Sequence, residues 1–173
     1  MKRLYTILIA MVALVLFAQT AVEAAPDLHS WSDILGNSRF KVLSKFGGAA
    51  VLDNETGLVW EQSPDMNGFN WLGAQSHCNV SAVGNRLGWR LPTLQEPASL
   101  VNPSAAGAPF LPAGHPFSNV QSYLYWSATT FAGNTDFAWS VNFDSGGVGA
   151  IFHKVFDGRL VWCVRGGQGV DPQ

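Results

Sequence analysis

Charged side chains are scarce in this sequence of 173 residues, of which 13% are Asp, Glu, Lys or Arg. The 10 basic residues are outnumbered by 12 acidic residues, so the formal net charge at pH 7 is −2. Proteins that bind nucleic acid or anionic membrane surfaces normally concentrate positive charge, because they must neutralise phosphate groups. The composition therefore argues against both classes of partner, and we expect no nucleic-acid ligand.

The chain also lacks an apolar run long enough to cross a bilayer. Lys2 and Arg3 precede an uncharged, largely apolar stretch over residues 4–18, whereas a membrane-spanning helix needs roughly 20 such residues. Small residues follow up to Ala24, at the positions that a signal peptidase reads. We predict a secretory signal peptide over residues 1–24, with an uncleaved membrane anchor as the alternative. An exported protein can remain in the periplasm, attach to the cell surface or enter the medium, and the sequence does not choose among these destinations. Contact with the membrane is expected only before cleavage of the signal peptide.

Cysteine is rare as well, since Cys78 and Cys163 are the only two in the chain. They lack Cys-x-x-Cys spacing and the four histidines are scattered, a distribution that matches no zinc-ligand or redox template. The sequence thus predicts no metal site and no cofactor. An even cysteine count in an exported chain is instead typical of a disulfide, and we expect Cys78 and Cys163 to form one.

Aromatic residues, by contrast, are abundant. The chain has 7 Trp and 11 Phe, and side chains of this size dominate the burial of apolar surface.

The part of the chain after residue 24 has a length typical of one domain with a substantial core. We divide it into an N-terminal lead over residues 25–39, one domain over residues 40–167 and a tail over residues 168–173. Whether the lead is a linker or packs on the domain stays open.

Local patterns predict a hairpin and a helix in the first half of the domain. Two β-prone runs, 49–52 and 58–60, flank the turn-forming residues 53–57, which indicates a β-hairpin. Asn70 is then followed by apolar residues at the spacing i, i+3 and i+7. This pattern predicts a helix that Asn70 caps and that reaches Cys78.

A short second helix is predicted after the sequence Leu-Pro-Thr. Thr93 can cap it, and Glu96 three residues later completes a capping box. Residues 102–122 follow with four prolines and predict a long loop. Such loops often carry binding residues, although an inert surface excursion is the alternative.

The last third of the domain reads as β-structure. Alternation of apolar residues with small or polar ones predicts strands over residues 137–143, 148–155 and 159–165. Short Gly-containing turns separate them, which favours an antiparallel meander. In the last strand Leu160, Trp162 and Val164 share one face, and Cys163 points to the other.

Five motifs occur in a characteristic order. They are DNxTGLxW at 53–60, Cys78-Asn79 at the end of the first helix, WRLPT at 89–93, YWSxT at 125–129 and CVRGG at 163–167. Together they resemble the Lcl C-terminal domain family, named for a collagen-like bacterial adhesin, over about residues 46–167. The resemblance implies an α+β, C-type-lectin-like fold, in which two helices pack on a twisted antiparallel sheet with long loops. It also implies a fold relationship to the formylglycine-generating, sulfatase-modifying enzymes and a disulfide between the paired cysteines.

The adhesin that names the family binds sulfated polysaccharides, but this sequence departs from it in two ways. It has no Gly-x-y repeat, so the trimerising collagen-like stalk is missing and we favour a monomer. Its basic residues from Arg86 onward are spread over four segments, whereas a sulfated polymer requires clustered cations. A neutral glycan or a peptide is the better expectation for the ligand.

Candidate ligand-binding residues are those beside the long loop and those on turns or polar strand faces, where aromatic, amide and carboxylate groups would form a shallow site. They are Trp126, Ser127, Asp136, Asn142, Asp144 and Arg159. Arg90 and Arg165 belong to the family motifs, and we expect them to pair with carboxylates or carbonyls inside the domain.

No motif supports catalysis. A triad of Ser127, His153 and Asp136 or Asp144 could be assembled, but no nucleophile-elbow motif accompanies it. An oxidase of the formylglycine-generating type would need a reactive cysteine pair, and both thiols are assigned to the disulfide. We therefore predict an exported, non-enzymatic domain that binds a glycan or a surface protein. A structural component of the envelope that binds only proteins is the alternative, and an enzyme is the least favoured hypothesis.

Overall fold

The computed structural model describes residues 39–167 and shows an α+β domain. The predicted signal peptide, nearly all of the predicted lead and the predicted tail lie outside these residues. Among the residues described, no helix has the length and apolar character that crossing a membrane requires. The elements in chain order are β1 (Phe40–Val42), β2 (Ala50–Asp53), β3 (Leu58–Glu61), β4 (Asp65–Phe69), α1 (Trp71–Val80), β5 (Trp89–Arg90), α2 (Gln95–Ala98), β6 (Leu124–Thr130), β7 (Phe137–Asn142), β8 (Gly147–His153), β9 (Arg159–Val161) and β10 (Val164–Arg165), with short 3-10 turns at Ser44–Phe46 and Val83–Asn85.

The strands form two five-stranded sheets. The first has the order β1-β2-β3-β10-β5 and the second β4-β9-β6-β7-β8. Of the strand pairs in the described part of the chain, β6 and β9 alone run parallel. The α+β class with two helices is thus confirmed, whereas the single antiparallel sheet that the resemblance implied is wrong.

The predicted meander of three C-terminal strands is also wrong in its last member. β7 pairs with β8 as expected, but the third segment does not continue beside β8. It divides into β9, which lies between β4 and β6, and β10, which lies between β3 and β5. Trp162 and Cys163 occupy the junction, and both are buried. The strand divides because its two ends complete different sheets.

The buried apolar side chains of the described residues form two clusters, and Trp162 connects several elements within the first of them. Its ring makes edge contacts with Trp60 at a centroid distance of 5.5 Å and with Phe117 at 4.8 Å, and its Nε1 donates to the main-chain oxygen of Glu61 at 2.8 Å. Leu160 and Val164 belong to the same cluster, as their shared face predicted. Cys163 lies in the second cluster with Cys78, so the last segment is buried on both faces.

The predicted disulfide is present. Cys78 on α1 and Cys163 between β9 and β10 are bonded, with their Cα atoms 5.4 Å apart. Asn70 caps the helix as predicted, since its Oδ1 accepts from the Gly73 N–H at 2.8 Å. The bond ties α1 to the junction between the two sheets.

The hairpin follows its local signals, whereas the second helix does so only in part, because Leu94 and not the predicted Thr93 occupies its N-cap position and no side chain caps it there. β2 and β3 pair antiparallel around the predicted turn. At α2, Glu96 Oε2 accepts from the Thr93 N–H at 2.8 Å, which is one half of the predicted capping box. Glu96 also forms a bidentate pair with Arg90, at 2.7 and 2.6 Å. The expectation that Arg90 pairs inside the domain is therefore confirmed.

Candidate functional site

Two of the six candidate ligand-binding residues lie inside the protein. Trp126 and Ser127 have no exposed surface. The indole Nε1 of Trp126 donates to the Phe69 carbonyl at 2.8 Å, and the Ser127 hydroxyl donates to the Trp139 carbonyl at 2.8 Å. In this arrangement they support neighbouring strands and offer no atom to a ligand.

The other four candidates do not converge on one place. Asp136 lies in the turn before β7, whereas Asn142 and Asp144 lie at the end of β7, where Asn142 Oδ1 accepts from the Asp144 N–H at 2.8 Å. β7 has 6 residues, so at about 3.4 Å per residue the two turns are roughly 20 Å apart. Arg159 packs its guanidinium over the ring of Phe152 at 3.8 Å. Ligand contact by these four residues stays a prediction, but they cannot share one small site.

A different set of residues lines a groove at the end of the long loop. The groove has a volume of about 480 Å³ and lies between β4, β9 and residues 120–123. We call it the Tyr123 groove; its lining residues are Met66, Val120, Gln121, Ser122, Tyr123 and Leu160.

Each part of the groove has a defined support. Leu160 on β9 is nearly buried, whereas Tyr123 is 48% exposed and Met66 is 61% exposed. The main chain at Tyr123 is fixed to the end of β7, because the Phe143 N–H donates to its carbonyl at 2.9 Å. The Gln121 N–H donates to the hydroxyl of Tyr125 at 2.8 Å. The groove therefore presents an exposed aromatic ring on a rigidly held backbone.

Hydrogen bonds also hold the loop that leads into the groove. The Ser118 N–H donates to the Gln62 carbonyl at 2.9 Å, and the Gln62 side chain donates to the Pro116 carbonyl at 2.7 Å. Asn119 reaches Ser63 Oγ at 3.0 Å. These contacts join the loop to the segment between β3 and β4, close to both sides of the groove.

The chemistry of the groove is neutral and amphipathic. None of the described residues that line it is charged. Tyr123, Met66 and Leu160 offer apolar surface, and Ser122 offers a hydroxyl. Gln121 offers its amide oxygen, because its Nε2 already donates to the Asn119 carbonyl at 3.0 Å and to Met66 Sδ at 3.7 Å. Polar atoms contribute more of the groove's exposed surface than apolar atoms, so the groove is a shallow polar surface around one aromatic ring and differs from the mostly apolar pockets that are typical of small-molecule sites. Tyr123 lies beside the long loop, where binding residues are expected, but it stands two residues before the YWSxT motif and is not among the predicted site residues.

A second cavity lies on the other side of β4. It has a volume of about 340 Å³, and we call it the Glu61 cleft; its lining residues are Glu61, Ser63, Pro64, Asp65, His77, Val80, Ser81 and Val83. Side chains alternate along a strand, and accordingly Asp65 lines this cleft whereas its neighbour Met66 lines the Tyr123 groove. None of these residues belongs to the predicted ligand-binding set.

Glu61 is the unusual group of the cleft, because its carboxylate is buried, with 3% of the residue exposed. Oε1 accepts from the Ser81 hydroxyl at 3.2 Å and Oε2 from the Cys163 N–H at 3.1 Å. Desolvation raises the pKa of Glu61 to about 7, and the nearby charge of Asp65 acts in the same direction. The two hydrogen bonds oppose this shift without cancelling it.

The raised pKa of Glu61 predicts a pH-dependent stability. Between pH 4.5 and pH 7 the unfolded chain loses the Glu61 proton while the folded protein keeps it, so the free energy of unfolding falls as pH rises. The loss contributed by Glu61 reaches up to about 3 kcal/mol, at about 1.4 kcal/mol per pKa unit. Urea unfolding at several pH values in a chelating buffer measures it. Glu61→Gln should remove this part of the slope, and an unchanged slope in that variant would refute the assignment.

The basic residues are less dispersed than the sequence suggested. The guanidinium of Arg86 lies 5.8 Å from the centroid of the Phe46 ring and that of Arg165 lies 5.9 Å from the same centroid. Lys45 is the neighbour of Phe46 and is exposed. The fold thus brings distant cations to one small patch, which corrects the expectation of scattered charge. Arg165 has this aromatic partner, and among the described residues it has no carboxylate or carbonyl partner of the kind that the sequence predicts.

Comparison with known families agrees with the motif order. The family model described as the Lcl C-terminal domain matches residues 49–165. The match extends from the start of the β2–β3 hairpin to the end of β10, and it includes the lining of both the Tyr123 groove and the Glu61 cleft. A comparison with curated proteins found no match.

Proposed function

Since the chain belongs to the Lcl C-terminal domain family, we propose that it is an exported, non-enzymatic binding domain whose Tyr123 groove binds a neutral saccharide. The family suggests a surface or secreted domain. The observation that supports the ligand class is the uncharged groove, in which an exposed aromatic ring lies beside an amide and a hydroxyl. The C-type-lectin-like fold, the periplasmic, cell-surface or secreted location and the monomeric state belong to the same proposal.

The groove suits a saccharide for a physical reason. One face of a pyranose ring is lined by C–H groups and can pack on the ring of Tyr123, which combines an apolar face with a polar tip. The hydroxyls at the edge of the sugar can then bond to Gln121 and Ser122. An anionic ligand would find no compensating cation among the described lining residues, and its desolvation would cost more than these contacts return.

A glycan array tests the proposal with a matched pair of variants. Tyr123→Ala removes the aromatic face and should lower the apparent affinity for neutral glycans roughly tenfold or more, about 1.4 kcal/mol. Phe156→Ala removes an aromatic residue that is 83% exposed outside the groove and should leave binding unchanged. We also expect binding without calcium, because no described residue lining the groove is a carboxylate.

Two results on the array would overturn the proposal. Neutral-glycan binding that Tyr123→Ala leaves intact would place the site elsewhere. Binding to no glycan at all would favour the alternative, an envelope component that binds only proteins.

The patch around Phe46 supports a second candidate function, the binding of a sulfated saccharide. Arg86 and Arg165 approach one ring from separate segments, and paired guanidinium groups suit sulfate recognition. The sulfated glycans of the same array test this candidate, which requires that Arg86→Ala with Arg165→Ala abolishes their binding while Tyr123→Ala has no effect.

A further inference from the structure

The Glu61 cleft brings together three side chains that commonly bind metal ions. The Nε2 atom of His77 on α1 lies 3.8 Å from Oδ2 of Asp65 on β4. Ligand atoms of His77 and Glu61 lie within 4.8 Å of each other. His77 and Asp65 are partly exposed, at 28% and 25% of their side chains, so an ion can reach them from solvent.

No Lys or Arg of the described residues neutralises the acidic groups of the cleft; near neutral pH the buried Glu61 carries a proton for part of the time, and a metal ion would displace that proton. Glu61 and Asp65 are both carboxylates, and within the described part of the chain no Lys or Arg forms a salt bridge with either. The donors to Glu61 are neutral, a hydroxyl and an N–H. Two carboxylates at a partly enclosed position favour a bound cation, because solvent screens the attraction between a carboxylate and the cation only weakly there.

Second contacts orient all three side chains. The His77 imidazole packs on the ring of Phe69 at a centroid distance of 4.8 Å. Asp65 uses Oδ1 to accept from the main chain and side chain of Asn67, at 2.8 Å each, which leaves Oδ2 directed at His77. Such outer contacts hold metal ligands in place and tune their affinity.

We propose that Glu61, Asp65 and His77 form a binding site for a divalent transition-metal ion of the zinc class. Imidazole with carboxylate oxygens is a ligand set for zinc and its neighbours, whereas calcium prefers six to eight oxygens. Cys163 lies close enough to take part, but its sulfur is committed to the disulfide. The site is therefore one of nitrogen and oxygen ligands, with a fourth position open to water in the cleft.

Binding requires the ligand side chains of the cleft to move closer together. Tetrahedral zinc with bonds of about 2.0–2.1 Å places its ligand atoms roughly 3.3 Å apart. The separation of 3.8 Å between His77 and Asp65 must shrink by about half an ångström, and the separation of up to 4.8 Å between Glu61 and His77 by up to about 1.5 Å. Rotation of the partly exposed His77 and Asp65 side chains toward the buried Glu61 supplies this movement. The cleft offers the space for this movement.

Zinc chloride titration of the purified, disulfide-bonded protein by calorimetry tests the site. We expect one equivalent of zinc to bind, and His77→Gln and Asp65→Asn each to weaken binding at least tenfold. His153→Gln is the matched control, because His153 lies on β8 and accepts from the Val155 N–H away from the cleft. Circular dichroism establishes that each variant is folded.

X-ray absorption at the zinc edge supplies a readout that a structural effect would not produce. It should show only nitrogen and oxygen ligands near 2.0–2.1 Å and no sulfur near 2.3 Å. Absence of binding, binding that His77→Gln and Asp65→Asn leave intact, equal loss in His153→Gln, or a sulfur ligand would each overturn the proposal. None of these outcomes bears on glycan binding in the Tyr123 groove, so the two proposals fail separately.

Discussion

Replacing Cys78 and Cys163 together by alanine is expected to lower the free energy of unfolding by about 4 kcal/mol. The bond closes a loop of 85 residues, and the chain-entropy model assigns roughly 4–5 kcal/mol to a loop of that length. Both sulfurs also belong to a core cluster without exposed surface, so the alanines leave unfilled volume. Urea unfolding of the two proteins in non-reducing buffer measures the difference.

The reductant dependence provides the control for this prediction. Wild-type protein treated with a thiol reductant under unfolding conditions should approach the stability of the double variant, whereas the double variant should not respond to the reductant. A difference below about 1 kcal/mol between wild type and variant would contradict the view that this bond holds α1 to the junction of the two sheets.

Asp53→Ala is expected to destabilise the domain by about 3–5 kcal/mol. Its carboxylate forms a bidentate pair with Arg39, at 3.1 Å for each contact, and both side chains are almost fully buried. Without Asp53 the buried Arg39 keeps contacts such as those with the Ser99 carbonyl and with Glu55, but it loses a fully buried carboxylate partner, and removing one partner of a buried ion pair accounts for losses of this size. Asp53 also accepts from the Glu55 N–H at 3.0 Å, so the turn of the first hairpin loses a second contact.

Glu55→Ala is the matched control for Asp53→Ala. Glu55 contacts the same arginine at 3.0 Å, but its side chain is 30% exposed. A pair that solvent reaches contributes about 0–1 kcal/mol, so we expect a small effect. Thermal or urea unfolding of the two variants separates the effect of burying an ion pair from the effect of removing a negative charge. Equal losses of unfolding free energy in both variants would refute the role given to the buried pair.

The elements that the sequence predicts correctly are those with a local cause. The turn at 53–57, the cap at Asn70 and the reach of Glu96 back to Thr93 all act over a few residues, and each is visible in the order of the residues. The disulfide is predicted for a different reason, because only one pairing exists for Cys78 and Cys163.

The arrangement of the sheets could not be predicted in the same way. Whether β9 pairs with β8 or with β6 depends on contacts between distant segments, and the burial of Trp162 among four other aromatic rings decides it. β4 was missed because its sequence, DMNGF, has weak strand propensity. It forms by pairing with β9.

The candidate sites were missed for the same physical reason. Tyr123, Met66 and Leu160 belong to three segments whose proximity arises only from the fold. Glu61 is a charged residue at the end of a predicted strand, and no local signal shows that its carboxylate is buried beside Asp65 and His77. The sequence does predict the region of the Tyr123 groove, because the groove lies at the end of the long loop. It does not predict which residues line the groove.

Chemical-shift mapping tests the central claim, a neutral saccharide in the Tyr123 groove, most directly. The isotope-labelled protein is titrated with the neutral glycan that binds most strongly on the array, and the backbone amide signals are followed. We predict that the shifted signals cluster at Met66, residues 120–123 and Leu160, and that Tyr123→Ala abolishes the shifts. Shifts centred on Asn142 and Asp144, or on the Phe46 patch, with the groove unaffected would contradict the account.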